Sequence, residues 1–139
     1  MDDGQSRKLL LVYDGSSVGD RALRTAVERA LELQASVTVL GVVPPRLWRA
    51  KQGQFVIPPE KHDEEFAHEQ IRRARHAFGE AGVHSEGRVR TGPPVAVISE
   101  EAAHGYVMVV LATRPTPTGA PDLAMLVTVP EGTELLAVT

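Results

Sequence analysis

Two aspartates in one short stretch, VYDGSSVGD at residues 12–20, are the first side chains whose types and spacing suit ligand binding or chemistry. Asp14 follows an apolar run at residues 9–13 and precedes Gly15-Ser16-Ser17. Its carboxylate can accept hydrogen bonds from an amine or a ribose hydroxyl of a ligand, or from the backbone N–H groups of its own turn. The residues alone favour these two interpretations equally.

Asp20, the second aspartate, is predicted to have a structural role. It stands three residues after Ser17, which resembles a helix-capping box with Asp in place of the usual Glu or Gln. A negative charge in the first helical turn also complements the helix dipole. The stretch lacks both the GxxxxGK[ST] and the GxGxxG pattern, so it is not predicted to be a phosphate-binding loop of either type.

Histidines and paired carboxylates provide no further candidates. The five histidines include no pair at i, i+4 spacing and no HExxH motif, so no metal site is predicted. The pairs Glu64-Glu65 and Glu100-Glu101 fall in charged helical stretches and are interpreted as surface charge. Because the chain has no cysteine, disulfides, thiolate zinc sites and thiol nucleophiles are excluded. No catalytic residue is predicted, and a nucleotide hydrolase is a minor alternative.

The composition is typical of one globular domain, predicted over residues 1–139, with 42% hydrophobic and 24% charged residues. A net charge of −3 and fifteen scattered Lys and Arg residues argue against nucleic acid as a partner. The N-terminus is acidic where a signal peptide would be basic, and the apolar runs are too short for a membrane span. A cytoplasmic protein without a membrane partner is therefore expected.

Strands and helices are predicted to alternate along the chain. Continuous apolar runs and one weaker alternating segment predict strands at residues 9–13, 37–43, 83–90, 107–112 and 135–138. Apolar stripes with helical spacing predict helices from Ser17 to Leu31 and at residues 60–81, the second one stopped by Gly82. A proline at the first turn predicts a short helix at residues 95–104.

Two segments have no clear periodicity. Residues 44–59 are bracketed by proline pairs and are predicted to form a long loop. This segment contains the only tryptophan, Trp48, whose side chain either caps the local core, the favoured interpretation, or forms a lid or a partner surface over a crevice. The state of residues 123–129 stays ambiguous.

The alternation predicts an α/β fold, a Rossmann-like three-layer sandwich with a five-stranded, mostly parallel sheet and right-handed crossovers. In such sheets ligands bind beyond the carboxyl ends of the strands, where the winding direction reverses. This rule directs attention to Asp14, to the residues after Val42 and to the segment after Ala112.

With these elements placed, residues 9–30 followed by SVTVLGVV at residues 36–43 resemble the opening half of the universal stress protein family, whose first strand ends in a similar Asp-Gly-Ser. TGPPVAVI at residues 91–98 resembles the family's Gly-Asp-Pro helix start, and VMVVLATR at residues 107–114 resembles its fourth strand and following turn. The likeness covers almost the whole chain in element order. It implies the adenine nucleotide alpha hydrolase-like fold and a cytoplasmic stress-response module.

The resemblance also implies a binding site. In nucleotide-binding members, the aspartate that ends the first strand and a valine after the second hold adenine, and these positions match Asp14 and Val42. A loop G-x2-G-x9-G-[ST] after the fourth strand binds ribose and phosphates, because glycines let backbone N–H groups surround an anion. Here Ala112 and Pro115 replace the first two glycines, and proline has no N–H to donate. The phosphate-binding loop is therefore degenerate, with Arg114 as its remaining anion contact.

Two modes of action follow from the resemblance. The first is a module that acts by dimerisation and binding, with no cofactor expected and with an unknown protein partner possible. In the family the last strands of two subunits commonly pair, and residues 134–139 form such an uncovered apolar strand here. The alternative is a module that binds an adenine nucleotide such as AMP through Asp14 and Val42, with non-standard phosphate contacts.

Overall fold

The computed structural model describes residues 7–44, 46–50, 53–57, 61–113 and 126–139. In chain order its strands are β1 (Lys8–Val12), β2 (Ser36–Val43), β3 (Arg46–Ala50), β4 (Gly53–Ile57), β5 (Ser85–Thr91), β6 (Met108–Ala112) and β7 (Glu134–Val138). The helices are α1 (Ser17–Leu33), α2 (Lys61–Glu80) and α3 (Pro94–Ala102).

Five strands form one sheet in the order β5-β2-β1-β6-β7, and every neighbouring pair is parallel. The predicted five-stranded sheet is confirmed. Its central strand is a continuous apolar run because both faces are covered, and Leu9, Leu10 and Leu11 are all fully buried. The chain winds outward from β1 to β2 and β5 on one side and then to β6 and β7 on the other, so the winding reverses between β1 and β6.

Helices cover the sheet on both faces, which confirms the three-layer sandwich. On one face α1 and α2 pack on the sheet through small and large apolar side chains such as Ala26 and Phe78. On the other face Ile98 and Ala102 of α3 pack against Leu10 and Leu40. No helix in the described part of the chain has the length and hydropathy needed to cross a membrane.

The prediction of a long loop at residues 44–59 is wrong. β3 and β4 pair as an antiparallel hairpin, with Leu47 opposite Val56 and Trp48 opposite Phe55. Aromatic and branched residues favour strands, and two short runs of them joined by a tight connection can pair with each other. The flanking proline pairs hide these five-residue strands from a search for periodicity. The role of the Trp48 side chain stays a prediction.

The segment at residues 123–129 was ambiguous in sequence, and residues 123–125 lie outside the described residues. From Val127 to Val129 the backbone has no regular structure. The backbone N–H of Thr128 donates to the Ser99 hydroxyl at 3.0 Å, and Val127 is buried in the core on the α3 side of the sheet. These contacts hold the segment that precedes β7 against α3.

Glu101 contradicts the prediction that the pair Glu100-Glu101 is surface charge. Glu100 is exposed and pairs with Arg90 at 2.8 Å, whereas the Glu101 side chain is 0% exposed. Glu101 Oε2 accepts hydrogen bonds from the Tyr106 hydroxyl at 2.7 Å and from Arg88 at 2.9 Å. The physical reason is helical spacing, because Glu101 falls on the same buried face of α3 as Val97 and Ile98.

The predicted stop of α2 at Gly82 is confirmed. Gly82 adopts a left-handed conformation with φ +80°, and the N–H of Val83 returns to the carbonyl of Phe78 at 2.9 Å. This geometry satisfies a carbonyl that the helix end would otherwise leave without a partner, and glycine adopts it without steric cost.

Gly79 lies one residue before the end of α2 and offers a test of helix propensity. A Cβ atom added there meets nothing within 4 Å, so alanine should fit without strain. We expect Gly79→Ala to stabilise the protein by about 0.5–1 kcal/mol, because alanine loses less backbone entropy in a helix. Urea unfolding should show a higher midpoint with an unchanged slope. An unchanged or lower midpoint would contradict this expectation.

Candidate functional site

An open cavity of about 760 Å³ lies at the carboxyl ends of β1 and β2. The chain leaving β1 provides one wall, the end of β2 provides the floor, and the first three turns of α2 provide the outer wall. We call it the β1-β2 cavity. The described residues that line it are Tyr13, Asp14, Gly41, Val42, Val43, Pro44, His62, Asp63, Glu65, Phe66, Ala67 and Gln70.

The turn between β1 and α1 holds Asp14 at the edge of this cavity. Asp14 Oδ1 accepts hydrogen bonds from the Ser16 backbone N–H at 2.9 Å and from the Ser16 hydroxyl at 2.7 Å. Ser16 Oγ in turn accepts from the N–H of Gly19 at 3.0 Å and caps α1. The carboxylate therefore stabilises its own turn and also lines the cavity, so the two interpretations of Asp14 do not exclude each other.

The predicted cap at Ser17 is one residue too late. Ser16 is the N-cap, and the third helical residue is then Gly19, which has no side chain that could complete a capping box. Asp20 lies in the first turn of α1, where its charge complements the helix dipole. It also accepts a hydrogen bond from the Tyr13 hydroxyl at 2.7 Å, which ties the end of β1 to the start of α1.

Burial, together with the hydrogen bond to Asp20, raises the pKa of Tyr13 to about 12. A tyrosine in the unfolded chain titrates near 10.0, so the unfolded state loses this proton first as the pH rises. The contribution to stability is fully present below pH 10 and is lost as the pH approaches 12.

We expect Tyr13→Phe to make stability less sensitive to alkaline pH. The variant should lose about 1 kcal/mol at neutral pH, because the hydrogen bond to Asp20 is gone. Between pH 10 and pH 12 its free energy of unfolding should fall less steeply than that of the wild type. Urea unfolding over a pH series measures both effects. Tyr106, whose pKa burial also raises to about 12, keeps part of the slope in the variant. Equal slopes would contradict the assignment.

The Gln70 side chain of α2 packs closely against the backbone of Gly15 in the turn after β1. Gly15 has φ +78°, and a Cβ atom there would lie 2.2 Å from Oε1 of Gln70. The same Oε1 accepts a hydrogen bond from Arg73 at 3.0 Å. Gln70 is buried and lines the cavity, so the glycine allows α2 to form the outer wall.

The structure brings together two of the four residues predicted to bind a cofactor. Asp14 and Val42 both line the β1-β2 cavity. Ala112 ends β6, pairs in register with Val138 and packs against the core beneath α1, and it is not among the described lining residues. Arg114 lies outside the described residues. Their assignment as ligand contacts stays a prediction.

The sequence interpretation missed the contribution of α2, which was treated as one apolar stripe on a solvated helix. Its first turns place Asp63, Glu65 and Phe66 in the cavity wall. Phe66 is 63% exposed and stands one residue before the buried stripe begins, so an aromatic residue out of phase with the stripe is a signal that was available. In the described part of the chain, no group of three His, Cys, Asp or Glu side chains could hold a metal ion.

A parallel five-stranded sheet covered by helices on both faces, with an open cavity at the carboxyl ends of β1 and β2, defines a protein of the doubly wound α/β class. Within that class the chain belongs to the universal stress protein family, whose model matches residues 5–124. The resemblance seen in the sequence is therefore confirmed.

Solved structures show the same fold. A universal stress protein from Archaeoglobus fulgidus has a TM-score of 0.71 at 17% identity, covering 96% of this chain and 98% of that one. A structure of the A. fulgidus protein in complex with dAMP has a TM-score of 0.68 at 17% identity, with coverage of 96% and 98%. An Arabidopsis thaliana family protein with AMP bound has a TM-score of 0.59 at 15% identity, with coverage of 96% and 92%. A search of curated proteins found no match.

Proposed function

We propose that this protein is a universal stress protein-type binding module whose β1-β2 cavity holds the adenosine part of an adenine nucleotide. The observation that carries the proposal is the joint position of Asp14 and Val42 in one cavity at the carboxyl ends of β1 and β2. Family members of the same fold bind dAMP and AMP, which supports an adenine ligand.

The chemistry of the cavity suits a planar ring that carries hydrogen-bond donors. A carboxylate accepts hydrogen bonds without donating any, so Asp14 can receive an amino group or a ribose hydroxyl. Val42, Ala67 and the exposed ring of Phe66 offer apolar surface for the faces of the ring. Burial of that apolar area favours binding in proportion to the area removed from water.

Phosphate contacts are proposed to differ from those of the family's glycine-rich loop. Pro115, Pro117 and Pro121 interrupt the corresponding segment, and each lacks the N–H that an anion requires. This argument rests on sequence, because these residues lie outside the described ranges. Non-standard phosphate contacts are therefore part of the proposal.

Calorimetry with AMP tests the site. Asp14→Asn keeps an acceptor for the Ser16 N–H and removes the charge, so the turn should persist while binding weakens. A hydrogen bond to a charged group contributes about 1.5–3 kcal/mol, which corresponds to a loss of about 10-fold to 150-fold in affinity. Glu28→Gln, which neutralises an exposed carboxylate on α1, is the matched control and should bind as the wild type does. Equal affinity of Asp14→Asn and wild type would refute the role of Asp14.

Binding without turnover is also part of the proposal. Incubation with ATP should release no phosphate above a blank without protein. If the wild type releases phosphate and Asp14→Asn does not, the protein is a nucleotide hydrolase and the proposed binding function is wrong. The cytoplasmic location and the protein partner expected from the sequence stay predictions.

We also propose that two copies pair through β7, the edge strand at residues 134–138. The N–H of Glu134 and the carbonyl of Val138 bond toward β6, so strand alternation turns the N–H groups of Leu135 and Ala137 to the open edge. Unpaired groups along an edge strand are a template for pairing with another chain.

Ala137→Pro should convert the dimer into a monomer. Proline removes one outward N–H and leaves the bonds to β6 in place, which edge strands tolerate. Light scattering across a concentration series should give the wild type twice the chain mass of 15.0 kDa and the variant the single mass. Thermal unfolding checks that the variant is folded. A wild type that stays monomeric at every concentration would overturn the proposed dimer.

A further inference from the structure

Among the described lining residues of the β1-β2 cavity, carboxylates outnumber the side chains that can carry a positive charge. The lining residues that the structure describes include the carboxylates of Asp14, Asp63 and Glu65, and they include neither Lys nor Arg. His62 is the one described lining side chain that can become a cation, and its Nε2 lies 3.5 Å from Oδ1 of Asp63. The described lining thus holds three carboxylates and one histidine.

The nearby cation Arg73 does not line the cavity, although its charge acts on Tyr13 in the lining. Its guanidinium donates to Oε1 of Gln70 and is not among the described lining residues. Arg114, the anion contact expected from the sequence, lies outside the described residues. Phosphate oxygens only accept hydrogen bonds and carry negative charge, so they match neither the hydrogen-bonding capacity nor the charge of this lining.

The ring and sugar of a nucleoside match the same lining well. The amino group and the hydroxyls of adenosine are donors, and the carboxylates are acceptors. Tyr13, Val42 and Phe66 provide aromatic and apolar surface for the ring. A phosphate group finds no such complementary groups among the described lining residues.

We propose that the β1-β2 cavity binds the uncharged nucleoside adenosine more tightly than its phosphorylated forms, in the order adenosine, AMP, ATP. The inference rests on the proposed function and specifies its ligand class. Each added phosphate brings further negative charge toward Asp63 and Glu65, and the repulsion grows as salt is removed.

Titration calorimetry of the full chain with adenosine, AMP and ATP, without divalent cations, tests the order. At about 10 mM salt the screening length is about 30 Å, longer than the cavity, and we expect ATP to bind at least about tenfold more weakly than adenosine. At about 1 M salt the screening length falls to about 3 Å, and the difference should narrow. Adenosine affinity itself should change little with salt.

Neighbouring residues on α2 provide a matched pair of variants. Both Glu64 and Glu65 are exposed, but only Glu65 is among the described lining residues. At low salt Glu65→Gln should strengthen ATP binding about threefold relative to adenosine binding. Glu64→Gln changes the net charge equally and should affect ATP binding less.

The two possible failures are distinguishable. If none of the three adenine compounds binds, the proposed function fails and this inference fails with it. If ATP binds as tightly as adenosine at low salt, or if Glu64→Gln and Glu65→Gln act equally, adenine binding stands and the preference for the uncharged nucleoside is overturned.

Discussion

Glu101→Ala should lower the free energy of unfolding by about 3 kcal/mol, one of the two largest effects that we expect. The substitution removes a fully buried side chain and leaves the Tyr106 hydroxyl without its carboxylate acceptor. Loss of this hydrogen bond to a charged group costs about 1.5–3 kcal/mol, and the lost packing adds to this cost. Among the described residues, Glu101 Oε1 already accepts no hydrogen bond and lies 3.8 Å from Arg90.

Tyr106 therefore contributes more to this effect than the two arginines. The Arg88 side chain is 46% exposed, so water can solvate its charge once the carboxylate is gone. A partly exposed ion pair contributes about 1 kcal/mol or less. We expect Arg88→Ala to cost much less than Glu101→Ala, and we expect the double change Glu101→Ala/Tyr106→Phe to cost less than the sum of the single changes.

Urea unfolding of the four variants and of Glu100→Ala tests this assignment. Glu100 is the adjacent residue, 64% exposed and paired with Arg90, so its loss should cost less than about 1 kcal/mol. Costs of similar size for Glu100→Ala and Glu101→Ala would show that burial of the carboxylate does not decide the stability of this face. If the stability costs of Glu101→Ala and Tyr106→Phe simply add in the double variant, the hydrogen bond between the two side chains does not couple them.

Glu101 also shows where sequence reasoning fails. Its position in the buried stripe of α3 was visible, but pairing it with Glu100 made surface charge the simpler interpretation. Its buried carboxylate is hydrogen-bonded by Arg88 on β5 and by Tyr106 before β6, two contacts that join separate segments of the chain. Tertiary contacts of this kind leave no local pattern to detect.

The sheet was predictable for the opposite reason. β1, β2 and β6 are buried on both faces, so each is a continuous apolar run, and the alternation of strands and helices restricts the topology. The hairpin of β3 and β4 was not predictable, because neither strand is a continuous apolar run and proline pairs flank the hairpin. Short strands depend on their pairing more than on their own pattern.

The sequence predicts the part of the candidate site at the strand ends but not the part on α2. Asp14 and Val42 follow from the rule that ligands gather at the carboxyl ends of parallel strands and from the family resemblance. The wall formed by Asp63, Glu65 and Phe66 depends on the angle at which α2 crosses the sheet. α2 packs closely on the sheet at Gly87, where a Cβ atom would lie 2.4 Å from Cγ2 of Ile71.

Gly19→Ala should weaken AMP binding at least about tenfold while leaving the protein folded, the second large effect that we expect. A Cβ atom at residue 19 would lie 2.4 Å from Oδ1 of Asp14 and 3.3 Å from Oγ of Ser16. Asp14 must therefore move, and the hydrogen bonds that orient it toward the cavity edge are lost. Each such bond contributes about 1 kcal/mol, and alanine recovers about 1 kcal/mol of helix propensity in α1.

Stability and binding should therefore separate in this variant. Urea unfolding should give a free energy within about 1 kcal/mol of the wild type, and calorimetry should give the loss of affinity. Gly79→Ala is the matched control, because it makes the same change in a helix where a Cβ atom meets nothing. It should raise stability and leave binding unchanged. If Gly19→Ala binds AMP as the wild type does, the orientation of Asp14 does not govern the site, and adenine recognition must depend on the α2 wall instead.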